Sequence, residues 1–459
     1  MIRCFAVLIF SFVLSALPLR AQETNFVAKI EPANVLVEGF QGWGTSLCWW
    51  ANVIGGYSNR DDYADKVFKD LKFNIVRYNI GGGENPSGQP GTMQFRTQVP
   101  GFEPTNGVWN WSADQNQRWM LKAALKRGVT RVEAFANSPP YWMTVSGSVT
   151  GAQGGTNNLQ VAYEKDFALY LAEVLRNLSR LDGIQFDAIA PVNEPTSDWW
   201  AFGGHQEGCH IDAMQQDRLI NLLHTELENR GLNILIDAPE DNDEQSSINS
   251  LGAYSDKALK NLGQVSTHTY KANNPIDLRS LAETLHKPLR QNEYGDGDHT
   301  GMKLARRIRD DLVELRPLSW CYWEAVDYAG WGMLNNRMEE GGTTNYYLTP
   351  KFYVFEQFSH FLPPGCNIID CGDPNSVAGY DPVSHTLNIV TVNDTTNDFQ
   401  TMFDLSSFAK MKTKVQCTRS SATESFKELP SLRIKNKRFT ADVPVGSVTT
   451  FVVQKAGLR

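Results

Sequence analysis

The sequence predicts an α/β protein: a (β/α)8 barrel of the TIM type with an attached all-β side sandwich. Three observations lead there. Short β-branched and aromatic runs alternate with helical stretches through the long middle of the chain, as in parallel strands joined by crossover helices. The C-terminal region instead alternates apolar and polar residues with period two, the signature of antiparallel sheet with one buried face. All twelve Trp lie between Trp43 and Trp331, so the two regions also differ in composition.

The strand candidates, in order, are Phe40–Ser46, Phe73–Ile80, Val129–Ala136, Gln185–Val192, Leu232–Asp237, Gln264–His268, Pro288–Asn292 and Leu318–Trp323. Helical stretches such as Tyr163–Asn177 and Asp212–Asn229 lie between them. Eight such units over ~280 residues suit a TIM barrel. A doubly wound sheet is the competing arrangement, but no G-x-G-x-x-G opens a helix and there is no P-loop. In the tail, Thr386–Asn393 and Ser447–Val453 are β-branched, and Phe439–Val445 alternates. Val27–Val37 has the same character, so the sandwich should be completed by an N-terminal strand. The predicted organisation is a leader over 1–21, the N-terminal strand or strands over 22–39, the barrel over 40–350 and the sandwich over 351–459. No Pro/Ser-rich linker separates barrel from sandwich, which predicts a tight interface.

With 459 residues, 41% apolar and 11% aromatic, the chain is too hydrophobic to be disordered. Arg3, the apolar run Phe5 to Leu17 and Leu19-Arg20-Ala21 read as a secretory signal peptide cleaved near Ala21. Its loss removes two arginines and no acid, taking the formal charge from −8 to −10. An acidic surface with scattered Lys and Arg argues against nucleic acid as a partner. No run reaches the ~20 apolar residues of a membrane span. The expectation is an exported (periplasmic or secreted) monomer. Six cysteines remain after the leader, which also carries Cys4, and none shows a CxxC or Cys/His metal spacing. Cys48 and Cys321 sit in apolar or aromatic runs and read as buried free thiols, whereas Cys366 and Cys371 are close enough to pair.

Barrel chemistry sits at the C-terminal ends of strands. Ile189-Ala190-Pro191-Val192 is followed by Asn193-Glu194-Pro195, and Pro288-Leu289-Arg290-Gln291 by Asn292-Glu293-Tyr294-Gly295. Each places a Glu where a strand emerges, in the fourth and seventh units. Two carboxyls on one cavity can divide glycosidic cleavage, one protonating the leaving oxygen and the other attacking the anomeric carbon. A lone Glu at a strand end is usually a solvated loop residue; two at such positions are not readily explained that way.

With these motifs the sequence resembles the retaining glycoside hydrolases of clan A, and specifically glycoside hydrolase family 30. The resemblance also covers Gly42-Trp43-Gly44-Thr45-Ser46, Arg77-Tyr78-Asn79-Ile80-Gly81-Gly82-Gly83, Asn137-Ser138-Pro139-Pro140-Tyr141-Trp142-Met143 and Phe352–Ser359. The segment Gly42–Asn52 is similar to the branch acting on β-1,6-galactan, the side chains of type II arabinogalactan. The resemblance implies Glu194 as acid/base and Glu293 as nucleophile. Asn193 would bond the sugar 2-hydroxyl. Arg77 would hold the nucleophile ionised, or serve as a structural ion pair. His268 or Tyr270 would donate to the nucleophile or a sugar, with a structural role for His268 also open.

Flat indoles stack on sugar faces, and Trp43, Trp49, Trp142, Trp199, Trp200 and Trp323 all fall at or just after a predicted strand end. The expected substrate-binding set is Trp43, Thr45, Trp49, Arg77, Trp142, Asn193, His268, Tyr270 and Trp323. The acidic runs Glu240–Glu244 and Asp296-Gly297-Asp298 lack the EF-hand register and read as solvated loops. Neither H-E-x-x-H nor G-x-S-x-G is present, and two-carboxylate hydrolysis needs no cofactor or metal. Three readings compete: a retaining endo-β-1,6-galactanase, a relative acting on another glycan (a β-1,6-glucanase, a xylanase or a glucosylceramidase-like enzyme), and a non-catalytic glycan-binding barrel. Both carboxylates and Asn193 are in place, which disfavours the last.

Overall fold

The computed structural model describes residues 24–85 and 93–458; the leader lies outside the described residues. Eight parallel strands close into a barrel: Gly42–Ser46, Ile75–Asn79, Arg131–Phe135, Ala188–Ala190, Leu235–Asp241, Leu262–His268, Leu289–Glu293 and Ser319–Glu324. The last pairs with the first, Cys321 opposite Gly44, so no edge is left open. Helices including Gln115–Leu125, Glu164–Asp182, Ala213–Asn229 and Met302–Val313 cover the outside. Their apolar faces, such as Phe167, Leu171, Val174 and Leu178, join one continuous core with the outward-facing strand residues.

Strand alternation decides which side chains enter the barrel. In the first strand Gly44 and Ser46 face inward: a Cβ on Gly44 would stand 2.3 Å from Cys321 Sγ, and Ser46 accepts from Arg77 at 3.1 Å. Trp43 and Thr45 therefore face outward, and this corrects their expected place in the groove. Trp43 is fully buried, packs on Phe355 and Phe358, and donates through Nε1 to the Leu362 carbonyl at 2.9 Å. Thr45 accepts from the Ala325 N–H at 3.2 Å, fixing the chain where it leaves the eighth strand.

The helix Pro350–Phe361 lies between barrel and sandwich. Phe355 stacks on Phe73 on the barrel side, while Gln357 bonds Ser420 and Thr450 on the other. The all-β part has two sheets. One is three-stranded, with Phe399–Asp404 between Thr24–Lys29 and Arg438–Val443. The other is seven-stranded and runs Lys427–Arg433, Lys414–Ser421, Ser447–Val453, Thr386–Asn393, Ser376–Asp381, Asn367–Asp370, Val35–Val37. Ala28, Phe403, Phe439, Ile389 and Phe451 form their shared core. Both sheets take strands from before and after the barrel. Cys48, Cys209, Cys321, Cys366, Cys371 and Cys417 are all buried free thiols, so Cys366 and Cys371 are not bridged. Among the described residues no helix is long and apolar enough to cross a membrane.

Since Trp43 belongs to the core, Trp43→Ala should lower unfolding free energy by roughly 3–5 kcal/mol in denaturant titrations. The KM for any glycan that the folded fraction cleaves should not change. A KM effect without destabilisation would return Trp43 to the groove.

Candidate active site

The C-terminal mouth of the barrel opens into a cavity of about 380 Å³ containing both predicted carboxylates, Glu194 and Glu293. Asn193 lies three residues past the end of the fourth strand and donates its backbone N–H to the Ala136 carbonyl at 2.8 Å. Glu194 follows with φ +46°, a left-handed conformation that strains a non-glycine residue by about 1–3 kcal/mol. Two bonds hold it there: its N–H donates to the Glu240 carbonyl at 2.9 Å, and Trp200 Nε1 donates to its carbonyl at 2.9 Å. Glu293 ends the seventh strand and is 3% exposed.

At the cavity floor the polar groups converge. Arg77, from the second strand, donates to Glu293 Oε2 at 2.7 Å, to Asn193 Oδ1 at 3.3 Å and to the Glu240 carboxylate. Tyr270 Oη donates to Glu293 Oε1 at 3.0 Å. His268 ends the sixth strand; its Nδ1 lies 3.0 Å from Glu194 Oε1 and 3.6 Å from Glu293 Oε1, and its Nε2 lies 3.3 Å from Glu240 Oε2. Asn242 Nδ2 donates to Glu194 Oε1 at 2.7 Å. Arg77, Asn193, His268 and Tyr270 are thus drawn together around the two carboxylates.

Glu240 and Asn242 escaped sequence reasoning. The run Glu240–Glu244 is not a solvated loop: Glu240, Asp241 and Glu244 are fully buried and Asp243 nearly so. The fifth strand continues through Asp241, with a register shift between Pro239 and Asp241 and φ +60° at Glu240. That irregularity turns the Glu240 carboxylate into the barrel, and nothing in the local sequence announces it. Asp296, expected in a solvated loop, is ion-paired to buried Lys351 at 3.0 Å.

Electrostatics follow from burial set against proximity. Burial pushes the Glu240 carboxyl up, but Arg77 and His268 outweigh it and hold it at about 2. Burial lowers His268, yet Glu293, Glu194 and Glu240 together push it up to about 10. For Glu293 burial is the largest influence and pushes it up, against His268 and Arg77, which pull it down. Glu194, His268 and Glu293 each offer an atom within 4.8 Å of the others, a spacing that also suits a metal ligand set. Both imidazole nitrogens already face carboxylate oxygens, however, and Arg77 supplies a cation to Glu293. The cluster's own cations thus meet the charge a metal would neutralise.

Aromatics frame the cavity. Trp49, Trp199, Trp200 and Trp323 line it as expected, with Trp49 edge-on to Trp323 at 5.1 Å between centroids. Trp142 does not line it: Nε1 donates to the Glu103 carbonyl at 3.1 Å and the ring packs on Tyr163, because the turn after the third strand points it outward. Trp331 and Tyr328, which sequence reasoning passed over, complete the wall. Beside Trp49, Arg96 bonds Glu324 at 2.7 Å and Asp327 at 2.8 Å.

Glu240→Gln should lower kcat by roughly 10²-fold with little change in KM, since Arg77 and His268 would lose the charge that orients them. A change confined to KM would count against this role. The pH profile carries a separate prediction. Because His268 is raised, its contribution to stability is full below its ordinary value of 6.5 and is lost as pH rises toward about 10. Melting temperature should decline over that window, and His268→Gln should flatten the decline; an identical slope in both proteins would contradict the assignment.

The comparisons with known proteins agree with this geometry. A family model described as O-Glycosyl hydrolase family 30 matches residues 37–278. An endo-β-1,6-galactanase from Hypocrea rufa is 32% identical over 453 aligned residues, 92% of this chain and 93% of the relative. An exo-β-1,6-galactobiohydrolase from Bifidobacterium longum subsp. longum is 23% identical over 84% of this chain and 36% of that longer protein. Among solved structures, a family 30 subfamily 8 xylanase from Clostridium acetobutylicum has the same fold, with a TM-score of 0.72 at 22% identity over 93% of this chain and 99% of its own. A match along more than half the chain, together with a relative alike over nearly its whole length, shows that this protein is a glycoside hydrolase belonging to O-glycosyl hydrolase family 30.

Proposed function

We propose that the protein is a retaining endo-β-1,6-galactanase that acts, after export, on the β-1,6-galactan side chains of type II arabinogalactan. The observation that carries the substrate is the 32% identity to the Hypocrea rufa endo-β-1,6-galactanase over 92% of the chain. The Bifidobacterium longum relative is likewise named for a β-1,6-galactoside.

The site supports retention. Oxygens of Glu194 and Glu293 lie within 4.8 Å of one another. That agrees with the ~5–5.5 Å carboxyl spacing of retaining enzymes, not the ~6.5–9.5 Å that admits a water between them. With Arg77 and His268 cationic and Glu240 ionised, the cluster is neutral when the catalytic pair carries one proton. His268 and Asn242 both engage Glu194 Oε1, which leaves Oε2 to carry that proton toward the leaving oxygen. Glu293 attacks the anomeric carbon as the bond to the leaving sugar breaks, and Glu194 gives its proton to the departing oxygen. In the second half, Glu194 takes a proton from water, whose oxygen displaces Glu293 and restores both groups. Asn193 Oδ1 accepts from Arg77, leaving Nδ2 for the sugar 2-hydroxyl.

The test is hydrolysis of a panel of β-linked glycans with products sized. Arabinose-trimmed type II arabinogalactan should release short β-1,6-galacto-oligosaccharides, while β-1,6-glucan, xylan and β-1,4-galactan stay intact. Comparable turnover of β-1,6-glucan would sink the galactan assignment. Release of galactobiose alone would mean exo action. Proton NMR of the first-formed product should show the β-anomer. Glu194→Ala should lose far more activity on poor leaving groups than on activated aryl glycosides, and Glu293→Ala should lose both.

A further inference from the structure

A second cavity, of about 510 Å³, adjoins the catalytic one and shares Tyr328 and Ala329 with it as a common wall. Its other sides include His299, Asn335, Arg337 and Tyr347. We propose that it is a distal sugar subsite, which holds a neutral pyranose of the bound polymer beyond the glycone unit next to the cleaved bond. The inference rests on the galactan reading for the identity of that sugar.

Continuity is the first support: a chain in the catalytic cavity that extends past Tyr328 enters this one. Direction is the second. The leaving sugar lies on the side of Glu194, which protonates it. No residue lining the second cavity comes from the Glu194 loop; all come from the chain that follows the seventh and eighth strands. The cavity therefore opens on the glycone side.

Chemistry is the third support. Tyr347 is 62% exposed and offers a ring face of the kind that sugar C–H groups stack on. Asn335, paired with Tyr347 across two short antiparallel strands, and His299 can bond hydroxyls. Arg337 lies 5.4 Å from the Tyr328 ring and is ion-paired to Glu339, which leaves the wall without an unbalanced charge and suits an uncharged ligand. The floor is also set in advance. Gly330, at φ +85°, packs where a Cβ would stand 2.3 Å from the Gly297 carbonyl oxygen. Buried Lys351 ties the two loops together, donating to the Asp296 carbonyl at 2.6 Å and the Gly330 carbonyl at 2.9 Å. Little ordering is then left for the sugar to impose.

The experiment is a chain-length series of β-1,6-galacto-oligosaccharides from two to six units, labelled at the reducing end so that the cleaved bond is known. In the wild type, kcat/KM should rise when a sugar is added at the non-reducing side. Tyr347→Ala should remove that gain, a loss of roughly 5- to 10-fold on long substrates, and leave the shortest cleaved substrate unchanged. Tyr347→Phe keeps the ring and should behave as wild type. Undiminished turnover of long substrates by Tyr347→Ala, or an equal loss at every length, overturns the proposal. If the wild type cleaves no member of the series, the galactan reading falls instead, and the same comparison in β-1,6-gluco-oligosaccharides decides the cavity.

Discussion

Arg77 joins Glu293 and Glu240 through a single buried guanidinium, and the geometry of the proposed catalytic site depends on that contact. Removing three charges from water is costly unless each meets a partner of opposite sign and its remaining hydrogen bonds are made. The barrel meets that demand by closure. Arg77 comes from the second strand, Glu240 from the fifth, His268 from the sixth and Glu293 from the seventh, so the cluster exists only once the sheet has closed on itself. A planar guanidinium that cannot lose its proton suits this junction, with Nη1 on Glu293 and Nη2 on Glu240 and Asn193; a lysine carries all its donors on one nitrogen and lacks that fork.

The polar lattice continues below the site. Arg131 bonds Glu133 and Gln264, Arg290 bonds Gln264, Ser319 and Gln41, and Asn292 bridges Asp237 to Glu240. Burial next to Glu240 and Glu133 pushes the Asp237 carboxyl well above the ordinary carboxylate range. TIM-barrel interiors are more often filled with branched aliphatic residues. Here the continuous apolar core lies between strands and helices, while the interior holds fixed dipoles and charges of the kind that can stabilise a charged transition state. Left-handed backbone at Glu194 and Glu240 is a further cost, offset by the bond between the Glu194 N–H and the Glu240 carbonyl.

The sandwich bears on the site through the helix Pro350–Phe361. One face of that helix buries Trp43 and Phe73 of the barrel, its polar edge bonds the seven-stranded sheet, and Lys351 at its start ties down the loops after the seventh and eighth strands. The same helix thus joins barrel, sandwich and cavity wall.

The sequence by itself determined the eight barrel strands, the β character of both chain ends and the position of Glu194 and Glu293, because these rest on local periodicity and on short motifs at strand ends. It also held the answer for Trp43 and Thr45: the alternation Gly42-Trp43-Gly44-Thr45-Ser46 puts small residues on one face and large on the other, and a crowded barrel interior takes the small ones. Glu240 was beyond its reach. An acidic run has the same composition in solvent or in a core, and only the strand irregularity at Pro239, with Arg77 and His268 waiting across the barrel, turns this one inward. The cavity wall of Trp331, Tyr328 and Arg96 likewise belongs to the tertiary structure, since Arg96 lies more than 200 residues before the loop that carries Tyr328 and Trp331 and meets it only at the barrel mouth.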